Sequence, residues 1–99
     1  MELQEVKRSD DEMDKNDYLV KNESVMLSSL DVLAQLSSNK KVILMAKGYL
    51  IPNAVAVANI VTENMLKGNS SIQDIKLDSV ISEDNGQMTS NIEITLIKN

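Results

Sequence analysis

Between residues 42 and 46 the chain reads Val-Ile-Leu-Met-Ala with no polar interruption, and lysines flank the run. An unbroken apolar stretch of that length predicts a central strand buried on both faces. Two later segments alternate instead. From Ile72 to Ser82, Ile75, Leu77, Ser79 and Ile81 share one side, and Lys76, Asp78 and Val80 share the other. From Asn91 to Ile97, Ile92, Ile94 and Leu96 point inward, while Glu93 and Thr95 point outward. Between them, Glu83-Asp84-Asn85-Gly86-Gln87-Met88 carries an Asn-Gly pair, a strong hairpin signal.

Two further segments have helical spacing. Met26, Leu30, Leu33 and Leu36 form one stripe behind a cap at Asn22 or Ser24, and Ser37-Ser38-Asn39 ends it. A second stripe holds Ile51, Ala54, Val55, Ala58, Val61 and Met65; Pro52 suits its first turn, and Gly68-Asn69 closes it. Val57 and Ile60 lie off that stripe, so this helix is apolar over more of its circumference than one sheet contact needs. Tyr18-Leu19-Val20 is a short strand. The predicted order is β-α-β-α-β-β: a single α/β (α+β) domain with a four-stranded mixed sheet and two helices on one face.

Composition removes several chemistries. The chain has 99 residues, no cysteine and no histidine. Thiolate metal sites, Cys or His nucleophiles, histidine bases and disulfides are therefore excluded. No apolar run approaches the roughly 20 residues needed to span a bilayer, so no membrane association is expected. The opening MELQEVKRSDDEMDKND lacks the apolar centre of a leader peptide. A cytoplasmic location, with chromosome association as an extension, is the expectation.

Net charge is −5 and is unevenly spread. Residues 1–17 hold seven acids against three basic residues, and the remainder holds eight acids against seven lysines. The reading is an acidic, disordered tail at 1–17 and a near-neutral domain at 18–99. A nucleic-acid binder normally shows a basic face, and here the sole arginine, Arg8, lies in the tail. Paired acids such as Asp74 with Asp78, or Glu83 with Asp84, read as exposed charge and not as a catalytic pair. Gly48 is isolated, without the other glycines of a phosphate-binding loop. No enzyme activity and no cofactor are expected.

The stretch KGYLIPNAV, residues 47–55, places a lysine, a glycine and a tyrosine at a helix entry, a position suited to an approaching anion. It resembles the R-G-R-x-I-S-K-A-V motif of the Alba proteins, small archaeal chromatin- and RNA-associated proteins with eukaryotic relatives. NIEITLIK, residues 91–98, is similar to that family's last strand, S-x-I-E-I-x-I. YLVKNESVM, residues 18–26, is similar to its first strand running into G-K-K-P-V-M. The chain is thereby identified as an acidic, divergent member of the Alba family.

That resemblance implies a fold like the C-terminal half of bacterial translation initiation factor three, a dimer, and binding of DNA or RNA. Family binding uses the loop before the first helix, the turn before the second, and the arm between the last two strands. Several of the family's charges are missing here. Its lysine pair falls on Asn22 and Glu23, its second arginine on Tyr49, its motif lysine on Asn53, and its basic arm on Glu83-Asp84-Asn85-Gly86-Gln87.

The expected contacts are Lys21, Asn22, Lys47, Tyr49 and Asn53. The lysines would neutralise phosphates, the asparagines would hydrogen-bond phosphate or sugar, and Tyr49 would stack on a base. The plainer alternatives are a surface lysine beside a turn and a tyrosine covering a core edge. Ile60, Met65 and Ile97 are the expected dimer residues, Met65 falling where the family often has an aromatic used between dimers. Two functions follow: weak, salt-sensitive nucleic-acid binding by a dimer, or an interaction subunit pairing with a basic Alba paralogue or another protein to modulate its assembly.

Overall fold

The computed structural model describes residues 14–99. Strand β1 (Asp17–Leu19) leads to helix α1 (Val25–Asn39) and strand β2 (Lys41–Lys47). A 3₁₀ turn (Gly48–Leu50) then feeds helix α2 (Ile51–Ile60), which continues as a π turn over Val61–Met65. Strands β3 (Ser70–Ile81) and β4 (Met88–Lys98) complete the chain. The sheet order is β1-β2-β4-β3, with β1 parallel to β2 and the other neighbours antiparallel. This is the mixed β-α-β-α-β-β arrangement expected from the pattern. The first strand begins one residue earlier than expected, behind a turn over residues 14–16, and residues 1–13 of the expected tail lie outside the described residues.

Both helices pack on one face of β2 and β4. Val42, Leu44 and Ala46 from β2 meet Ile92, Ile94 and Leu96 from β4 beneath Val32 and Leu36 of α1 and Ala54, Val57 and Ala58 of α2. Among the described residues no layer covers the other face of the sheet. Ile43 and Met45, expected to be fully buried, are only half-buried because they face that open side.

Helix α1 departs most from its expected stripe. Ser24 caps it as read, its Oγ accepting from the Leu27 N–H at 3.2 Å. Its buried face is Ser28, Ser29, Val32 and Leu36, whereas Met26 and Leu30 are about half exposed (52% and 49%). The small serines allow a close approach of the helix to the body, and their hydroxyls stay bonded. Ser29 Oγ donates to the Val25 carbonyl at 2.8 Å and Ser28 Oγ to Glu23 Oε2 at 3.3 Å. Gln35 and Asn39 anchor the other end by donating to the Lys15 carbonyl. The helix stops at Lys40, whose left-handed φ of 69° lets its N–H reach the Leu36 carbonyl.

In α2 the stripe is rotated from the expected one: Val57 is fully buried and Val55 is exposed. Thr62, buried in the π turn, donates to the Ala58 carbonyl at 2.8 Å. β3 keeps its predicted alternation, but the apolar side is uncovered. It is an edge strand that the helical layer meets at the π turn, and Ile75, Leu77 and Ile81 stay more than half exposed. A register shift between Ile72 and Asp74 marks a bulge at Gln73. The hairpin closes where Asn-Gly predicted: Gly86 has φ +71°, and the Ser82 N–H donates to the Gln87 carbonyl.

Candidate nucleic-acid interface

Because β1 and β2 run parallel, the loops that follow them leave the sheet at the same end. The Val20 N–H donates to the Met45 carbonyl at 2.8 Å and ties the two exits together. β4 runs antiparallel to β2, with Asn91 opposite Lys47, so residues before Asn91 project past that end. Three further strand pairs, Ser79–Ser90, Val80–Thr89 and Ile81–Met88, extend the arm by about 10 Å before the loop. Topology thus gathers the loop before α1, the turn before α2 and the β3–β4 arm at one end of the molecule.

Lys21 and Asn22 are exposed in the first loop. Lys47 is exposed at the last position of β2, and Gly48 follows with φ +53°, a conformation glycine adopts freely. Tyr49 sits on the 3₁₀ turn with 75% of its surface exposed. That exposure removes the core-covering alternative for Tyr49. Pro52 occupies the first turn of α2, where no N–H is required of it, and Asn53 beside it is half-buried. Four candidates therefore stand open to solvent at one end, with Asn53 partly sheltered behind them.

The acids gather at the same end. Glu23 lies next to Asn22, and Glu83 and Asp84 cap the arm, all exposed. Tyr18, by contrast, is structural: its hydroxyl donates to Asp31 Oδ2 at 3.5 Å, and burial raises its pKa above 10.0. The three expected dimer residues separate. Ile60 and Met65 belong to the helical layer, Met65 packing against the core, whereas Ile97 neighbours the buried Leu96 and so faces the open side.

The Alba family model matches residues 16–79, nearly two thirds of the sequence. The chain belongs to the Alba family. Alba from Thermoplasma volcanium is 32% identical, with a TM-score of 0.69 over 84% of this chain and 100% of that one. ALBA1 from Trypanosoma brucei is similar in fold, with 19% identity and a TM-score of 0.65 over 87% of this chain and 72% of that one. No curated protein matches the sequence. Alba proteins bind nucleic acid and are not enzymes. Among the described residues no helix is long and apolar enough to cross a membrane.

Two features were missed in reading the sequence. One is the uncovered apolar side of the arm, since alternation states that one side is apolar but not whether a layer covers it. The other is a groove on the open face of the sheet, lined in part by Asn91 and Glu93. Only the register between β2 and β4 places those two residues beside Met45 and Lys47.

Proposed function

We propose that this Alba chain is a dimeric DNA- or RNA-binding protein whose contacts are weak and salt-sensitive. The observation that carries the reading is the β2–α2 turn, where Lys47 and Tyr49 stand exposed at the entry of a helix whose dipole is positive at that end. Lys47 and Lys21 neutralise phosphates, Asn22 and Asn53 hydrogen-bond phosphate or sugar, and Tyr49 stacks on an unpaired base. Binding is weak because Glu23, Glu83 and Asp84 occupy the same end and repel the polyanion.

The dimer reading is supported by the arm. Ile75, Leu77, Ile81 and Met88 are all more than half exposed along one side of it, an apolar strip that water does not favour. A partner molecule covering that strip and the end of α2 removes it from water. Ile97 lies on the opposite face of the sheet, away from that strip.

Fluorescence anisotropy with duplex DNA and single-stranded RNA at low and moderate salt tests the reading. Binding is expected at low salt and should fade as salt rises; Lys47→Ala should lower the duplex slope by about 0.9 log units per log unit of salt. Absence of binding to either nucleic acid at low salt overturns it. The second reading, an interaction subunit paired with a basic Alba paralogue or another protein, is favoured by the acids of the arm tip and would then stand.

A further inference from the structure

The open face of the sheet is not flat at its loop end. There the arm and the ends of β1 and β2 enclose a groove of about 620 Å³. Register builds it in rows across the sheet: Leu19, Met45 and Glu93 in one row, Lys47 and Asn91 in the next, Val80 and Thr89 beyond. Glu83 and Asp84 close its far end. From Glu93 to Thr89 the groove follows five residues of β4, about 14 Å, the length of a short extended peptide.

Its chemistry is one-sided. Leu19, Met45 and Val80 supply an apolar floor; three carboxylates, Glu83, Asp84 and Glu93, line the groove with one ammonium, Lys47, and Lys76 stands opposite Glu93 at its edge. Among the described residues none of the four lining charges is ion-paired. Asn91 Oδ1, sealed from solvent in the same groove, accepts no hydrogen bond from any described residue. Carboxylates above an apolar floor suit a side chain with an aliphatic stem and a cationic head.

We propose that this groove docks an extended segment of a partner protein bearing arginine or lysine. The stem of a basic residue lies on Met45 and Leu19, and its head reaches Glu93 and the arm-tip acids. Phosphate is the wrong occupant, because three carboxylates line the groove against one lysine, with Lys76 only at its edge. The inference does not depend on nucleic-acid binding at the β2–α2 turn; the two surfaces share Lys47 and use opposite charges.

The test is methyl NMR of the full chain titrated with a capped Gly-Arg hexapeptide, in parallel with short duplex DNA. The peptide should shift the Met45, Leu19 and Val80 methyls. Its affinity should drop at least ~5-fold in Glu83→Gln/Asp84→Asn/Glu93→Gln, the scale of two or three partly screened ion pairs. It should change less than ~2-fold in Glu63→Gln/Asp74→Asn, which removes exposed acids outside the groove. Equal losses in the two variants, or shifts confined to other parts of the protein, overturn the proposal. So does duplex DNA moving the Met45 and Leu19 methyls more than the peptide does. Should the triple variant fail to fold, the wild-type shift map decides alone.

Discussion

At the residue scale, Tyr49 and Leu36 mark two different uses of a large side chain. Tyr49 is held out at a turn where only its ring can act, and nothing in the core depends on it. Leu36 is fully enclosed on α1, while Leu30, six residues earlier, is about half exposed. Periodicity alone put both on one stripe. Ser28 and Ser29 took the inward positions because small side chains let α1 sit close to the body, and each hydroxyl found an acceptor nearby. The sequence pattern contains no mark for that substitution of serine for leucine. Leu36→Ala should therefore lower unfolding free energy by about 2–5 kcal/mol, as truncation of a buried leucine does. Leu30→Ala should cost much less, within the about 0.5 kcal/mol typical of surface sites. Urea denaturation of both variants checks this, and equal losses would mean that Leu30 is covered in solution.

Elements were more legible than their faces. The Asn-Gly hairpin and the inward set Ile92, Ile94 and Leu96 are local signals that hold in the structure, and the apolar run of β2 forms its strand but is fully buried on one face only. What could not be read locally was coverage. β3 alternates as cleanly as β4, yet its apolar side lies beyond the reach of the helices. An edge strand of that character normally invites another chain. If the arm joins the dimer, Ile75→Lys/Leu77→Lys should shift light scattering from a dimer to a monomer of about 11 kDa at micromolar concentration, with secondary structure unchanged by circular dichroism. Wild-type protein that is already monomeric there would remove the dimer from the account.

For the whole molecule, the β-α-β-α-β-β order and three short motifs in the right sequence pointed to the Alba scaffold, and the family match bears that out. The candidate site was legible in part. The loop and turn residues could be named from motif positions, because backbone at a helix entry is encoded locally by Gly48 and Pro52. Their gathering with the acidic arm could not be, since it depends on β1 running parallel to β2 and β4 running back past Lys47. The result is an Alba scaffold whose proposed binding end carries Lys21 and Lys47 beside Glu23, Glu83 and Asp84. On the proposed reading, charge and not backbone makes nucleic-acid contact at this end weak.

Restoring the family charges by Glu23→Lys, Tyr49→Arg and Asn53→Lys adds four positive charges per protomer without altering Gly48 or Pro52. Anisotropy of the variant and the wild type on duplex DNA, across a salt series, reads the effect directly. The variant should bind far more tightly below physiological salt. Its salt dependence should steepen by about 0.9 log units per log unit of salt for each new phosphate contact. If the folded variant binds no better than the wild type, the turn is not a latent nucleic-acid site, and the account of this end as a charge-depleted Alba interface is wrong.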